Sequence, residues 1–190
     1  MIHSFAGYHR TQAIAKNLTS RKIPIDGIGL QMHLNAGSVE HPGYGGSMTF
    51  GAEVSANIKR LGALGLEVRV TEMDVTCGGY SHSCDATTGF PHQARIYGDV
   101  LAACLDNKAC TGFMTWEFGD RYSWCGTGKR PLPFDVNLVP KAAYWELLAT
   151  LQHHPRTRSY ANYSDHSWET APEGLPPPPP PAAAAAVGMM

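Results

Sequence analysis

Residues 66–75 read LEVRVTEMDV, an aliphatic, β-branched run that ends in two carboxylates, Glu72 and Asp74. The run has the length and composition of a buried strand. An unpaired charge is costly to bury, so carboxylates in such a place call for hydrogen-bonding partners. The two-residue period of a strand puts Val68, Val70, Glu72 and Asp74 on one face.

Outward from this stretch, strand-like and helical runs alternate, the pattern of a parallel sheet with crossover helices. Upstream, RTQAIAKNLTSRK (10–22) reads as a helix and PIDGIGLQMHL (24–34) as one strand, with Gly27 and Gly29 permitting close backbone approach. In EVSANIKRLGALG (53–65), Val54, Ile58, Leu61 and Leu64 recur at helical spacing and Gly65 sits where a helix would end. Downstream, HQARIYGDVLAACLDN (92–107) reads as a helix and CTGFMTWEF (110–118) as a third strand. A last helix follows in PKAAYWELLATL (140–151), with Pro140 at its first position.

On this reading Gln31 and His33 share a face of the first strand, and Met114 and Trp116 share a face of the third. The polar and aromatic groups gather at the carboxyl ends of the strands, where parallel sheets and barrels place their ligand sites. His33 and Gln31 then supply donors that offset the desolvation of Glu72. The residues alone also fit a plainer reading, in which Glu72 and Asp74 form a solvated strand end and His33 is an ordinary half-buried histidine.

Composition narrows the choices. The 190 residues are 43% hydrophobic with a formal net charge of -1, enough for one sizeable core and no basic field for nucleic acid. No apolar run reaches the roughly 18 to 20 residues of a membrane-spanning helix. The opening MIHSFAGYHR lacks the regions of a signal peptide. Sequons at Asn17 and Asn162 fit a secreted parent. Cys77, Cys84, Cys104, Cys110 and Cys125 are odd in number, so internal pairing leaves at least one over. Together with His82 and His92 they match no tetrahedral metal spacing, and no metal or cofactor is expected. From about residue 153 the chain turns polar and then into a proline run and an alanine run, read as a disordered tail.

Three motifs, PIDGIGLQMHL, VRVTEMDV and GFMTWEFGDRYSW, resemble in order and spacing the last three strands of the family 10 glycoside hydrolases. The likeness runs from about residue 8 to 152 and takes in QARIYGDVLAACL and PLPFDVNLVPKAAYW. It implies an α/β fold, a (β/α)8 barrel of which about the last three β/α units are present, over residues 1–152, with residues 153–190 as tail. It implies endo-1,4-beta-xylanase chemistry, the retaining hydrolysis of β-1,4-xylosidic bonds.

Within that resemblance Glu72 is the nucleophile, His33 bonds to it, and Asp74 orients His33 from the other side. Gln31 lines the same pocket, while Trp116 and Trp124 form part of a sugar platform. Cys104 and Cys110 have the spacing that often forms a disulfide in the family, and Cys77 with Cys84 frame a second candidate bridge. The implied partners are xylan or xylo-oligosaccharides and the N-terminal portion of the barrel; the full-length parent is expected to be secreted. One element departs from the pattern. The family's general acid lies in an Asn-Glu dipeptide on the fourth strand, and no Asn-Glu occurs in this sequence. A noncatalytic carbohydrate-binding remnant of a xylanase is therefore the alternative function.

Overall fold

A computed structural model of the chain describes residues 5–39, 49–77 and 89–155. His82, Cys84, Asn162 and the tail beyond residue 155 lie outside the described residues. The elements run α1 (Phe5–Ser20), β1 (Gly27–Leu30), β2 (His33–Asn35), α2 (Ala36–Val39), α3 (Phe50–Gly62), β3 (Glu67–Thr76), α4 (Gly89–Leu105), β4 (Cys110–Thr115) and α5 (Ala142–His153). Two 3-10 turns, Asp120–Tyr122 and Thr127–Lys129, lie between β4 and α5.

Every pairing among these strands is parallel, and β3 is the centre. On one side β1 pairs with its first half, Gly27 opposite Glu67, and β2 with its second half, His33 opposite Asp74. On the other side lies β4, with Val68 opposite Cys110 and Met73 opposite Thr115. The glycines of β1 are needed for close approach: a Cβ on Gly27 would lie 2.9 Å from the Glu67 carbonyl oxygen, and one on Gly29 2.9 Å from Thr71 Cγ2.

Residues 24–34 do not form one strand. Met32 takes a left-handed φ of 62° and separates β1 from β2, a conformation costly for a residue with a Cβ. Met32 is buried in the core and its carbonyl accepts from the Asp74 amide at 3.3 Å, which compensates for the kink. The alternation of burial survives it, since Leu30, Met32 and Leu34 are all buried.

The single-face arrangement expected for β3 is also corrected. The core takes Val68 and Val70 and then Met73 and Val75, a switch from even to odd positions. Pairing with β4 shifts register between Val70 and Met73. Such an irregularity inserts an extra residue and re-aims the side chains beyond it. Glu72 and Asp74 thus leave the face of Val68 and Val70. That face packs against α3 and α4, where Val54, Ile58, Leu61, Ile96, Tyr97 and Val100 are fully buried.

Helix α3 follows from its sequence. Thr49 caps it by accepting from the Ala52 amide at 3.4 Å, and Val54, Asn57, Ile58 and Leu61 make the buried stripe. Helix α5 starts later than expected, at Ala142 rather than Pro140. Pro140 instead bridges Phe134, and Lys141 stays extended while its amide donates to the Pro133 carbonyl.

The loop from β4 to α5 is pinned by a buried ion pair. Lys141 Nζ donates to Asp120 Oδ2 at 3.0 Å and to the carbonyls of Arg130 and Leu132, both at 2.7 Å. Those three bonds use all the donors of the ammonium group. Asp120 Oδ1 accepts from the Leu132 amide at 2.8 Å. From α4, Gln93 Nε2 donates to the Arg130 and Val75 carbonyls and the Tyr97 hydroxyl to the Pro131 carbonyl.

Removing one member of a buried pair strands the other charge. In urea unfolding of the full chain, Lys141→Met is expected to cost about 3–5 kcal/mol, and adding Asp120→Asn to recover part of that loss. A loss below about 1 kcal/mol for Lys141→Met, the range of exposed pairs, would contradict this account of the loop.

Candidate active site

The carboxyl ends of β2 and β3 bring three of the expected residues into one chain of contacts. His33 Nδ1 lies 2.9 Å from Asp74 Oδ2, and Nε2 lies 3.1 Å from Glu72 Oε2. With hydrogens on both nitrogens the ring donates to both carboxylates. The register that sets His33 opposite Asp74 makes the short contact a direct cross-strand pair. Asp74 is buried, whereas the Glu72 side chain keeps a quarter of its surface exposed. The arrangement holds one carboxylate in the protein and offers the other to the outside.

Gln31 lies in the kinked segment between β1 and β2. Its Nε2 donates to Glu72 Oε1 at 3.5 Å, a long bond beside the shorter one from His33. Both oxygens of Glu72 therefore face donors. Trp116 follows β4 directly and is tied to β3 by its amide, which donates to the Met73 carbonyl at 3.0 Å. Next to it, Glu117 takes a φ of 70° and turns the chain out of the strand. The third strand accordingly ends at Thr115, three residues short of the expected limit.

Trp124 comes from the loop after the first 3-10 turn, yet it reaches the same centre. Its indole Nε1 donates to Asp74 Oδ2 at 2.7 Å, and its ring meets the His33 ring nearly edge-on, 5.2 Å between centroids. Both Trp116 and Trp124 remain exposed, at 44% and 57%. Apolar surface of that size at a polar site suits a ligand with flat C–H faces.

Four residues that organise the site were not singled out from sequence: Gln93, Tyr97, Asp120 and Lys141. Gln93 and Tyr97 stand one helical turn apart on α4, an i, i+4 polar pair on an otherwise buried face. Asp120 lies inside the motif that carries Trp116 and Trp124. Nothing local to Lys141 marks it, because its partners come from residues 9 to 21 positions away.

Burial dominates the titration of these groups. It pushes Asp120 up against the opposing effects of the Leu132 amide and Lys141, and it pushes Lys141 down although Asp120 resists. The Tyr97 hydroxyl is driven well up by burial and then by the charges of Asp74 and Asp120. Burial, followed by the charge of Asp74, also raises the thiol of Cys125.

Cys104 and Cys110 form a disulfide joining the last turn of α4 to the start of β4. Cys77 is disulfide-bonded as well, while Cys84, the partner expected for it, lies outside the described residues. His92 is buried on α4 with Nε2 2.9 Å from the Ala36 carbonyl. Among the described residues no group of His, Cys, Asp or Glu is placed to hold a metal ion, and no helix is long and apolar enough to cross a membrane.

Parallel strands backed by helices, with carboxylates and tryptophans at the carboxyl ends, define the class by architecture: part of a (β/α)8 barrel with its site at the usual end. Comparison with known proteins agrees. Residues 6–150 match the profile of glycosyl hydrolase family 10, and the chain belongs to that family. It is 36% identical over 143 residues to endo-1,4-beta-xylanase B of Neocallimastix patriciarum, covering 75% of this chain and 14% of that protein. Endo-1,4-beta-xylanase 5 of Pyricularia oryzae is also 36% identical over 143 residues, covering 73% of this chain and 32% of the relative.

The fold superposes on native xylanase 10B of Thermotoga maritima with a TM-score of 0.65 and 29% identity, over 77% of this chain and 43% of that one. The xylanase 10B of Thermotoga petrophila, solved in complex with xylobiose, gives a TM-score of 0.64. The chain thus spans less than half the length of these relatives.

Alkylation of native, unreduced protein near neutral pH should modify the free thiol of Cys125 more slowly than a solvent-exposed cysteine of ordinary pKa, because the thiolate is the reactive form. Cys104 and Cys110 should stay unmodified. Ready labelling of either would reject the bridge.

Proposed function

We propose that this chain carries the nucleophile half of an endo-1,4-beta-xylanase site, acting on β-1,4-xylosidic bonds by the retaining route. Glu72 attacks the anomeric carbon, and His33, held by Asp74, orients it. Gln31 lines the pocket, with Trp116 and Trp124 providing stacking surfaces for xylose rings. The observation that carries this reading is the Asp74–His33–Glu72 chain, with contacts of 2.9 and 3.1 Å at the carboxyl end of the central strand.

A retaining mechanism pairs the nucleophile with a protonated carboxyl about 5–5.5 Å away, which donates to the leaving oxygen. No Asn-Glu is present to supply it, so the acid belongs to the other β/α units of a complete barrel. Missing acid assistance lowers turnover of unactivated xylan by about 100- to 10,000-fold. The Cys104–Cys110 disulfide supports an oxidising, extracellular setting for the parent.

The absence of Asn-Glu also favours the second reading, a carbohydrate-binding remnant that uses the two tryptophans without turnover. A 2-fluoro xylobioside with a good leaving group separates the two, since its first step needs little acid help. The account predicts a covalent adduct on the full chain, mapped to Glu72 and lost in Glu72→Gln. An intact mass unchanged after long incubation would overturn the catalytic reading and leave the binding one.

A further inference from the structure

Trp124 is placed for more than stacking. Its ring lies in a loop fifty residues along the chain from Asp74, yet the indole N–H reaches Asp74 Oδ2 at 2.7 Å. The same oxygen faces His33 Nδ1 at 2.9 Å. One oxygen therefore receives two hydrogen bonds, both directed at a carboxylate and both shortened by its charge. The indole edge also abuts the imidazole, 5.2 Å away at 69°. Removing the N–H takes away one of the two donors that set the Asp74 carboxylate, and with it part of what sets the His33 ring.

The geometry points to Trp124 as a positioning residue for the nucleophile. Its N–H fixes Asp74, Asp74 fixes the plane of His33, and His33 Nε2 holds Glu72 at 3.1 Å. The half of the ring that stays exposed is free to contact a sugar. One side chain thereby links ligand contact to the aim of the attacking carboxylate. The loop that carries it is itself anchored by the Lys141–Asp120 pair, so the indole is held from both ends. The inference rests on Glu72 acting as nucleophile, and its test is chosen so that the two fail differently.

Trp124→Phe keeps an aromatic face and deletes only the N–H. With the activated 2-fluoro xylobioside, the saturating rate of adduct formation on Glu72 should fall about tenfold, the scale of one hydrogen bond to a charged group, while the half-saturating concentration stays within about twofold. In an Asp74→Ala background, which removes the acceptor itself, the same substitution should add less than about twofold, because the residues act as one unit. A Trp124→Phe chain that labels at the wild-type saturating rate overturns the positioning role and leaves Glu72 as nucleophile. Additive losses, or a loss confined to the half-saturating concentration, overturn it in favour of stacking alone. A wild-type chain that does not label overturns the nucleophile assignment and the positioning role with it.

Discussion

A single imidazole set between two carboxylates is the contact on which the rest of this structure turns. Asp74 is buried at the end of the central strand, where an unpaired charge is unfavourable. His33 meets it at 2.9 Å and Trp124 at 2.7 Å, so the buried oxygen has two donors. Glu72, on the other side of the ring, keeps part of its surface open. Burial of one acid and exposure of the other follow from one histidine reaching both.

That contact depends on two departures from ideal strand geometry. The left-handed Met32 breaks the first strand into β1 and β2 and sets His33 opposite Asp74. The register shift between Val70 and Met73 gives the apolar side chains of β3 to the helices on both sides of the break. Without it, a strict alternation would place Glu72 and Asp74 with Val68 and Val70 against α3 and α4. Local strain and irregular pairing of this kind are frequent beside functional sites. The loop above is then fixed by a buried ion pair whose two members both show the electrostatic penalty of burial.

Much of this was legible in the residues. Alternating helical and strand runs gave the parallel α/β order, and the motifs around Gln31, Glu72 and Trp116 gave the family. The stripe of Val54, Ile58 and Leu61 made α3 readable because all its partners lie one or two turns away. The break at Met32 and the shift in β3 were not readable, since periodicity assumes regular geometry and both are departures from it. The late start of α5 was missed for a similar reason: Pro140 is well suited to a first helical position, but it bridges back to Phe134 within the preceding loop, a pairing that helical periodicity does not report. Lys141 and Asp120 were missed because charged residues are read as surface until their partners are known.

The central claim is that His33 addresses Asp74 through Nδ1 and Glu72 through Nε2. Long-range proton–nitrogen NMR of the His33 ring tests it most directly, in Asp74→Asn and Glu72→Gln forms of the chain. The account predicts that the first substitution moves mainly the Nδ1 resonance and the second mainly Nε2. A His33 ring whose two nitrogens are unmoved by either change would contradict it.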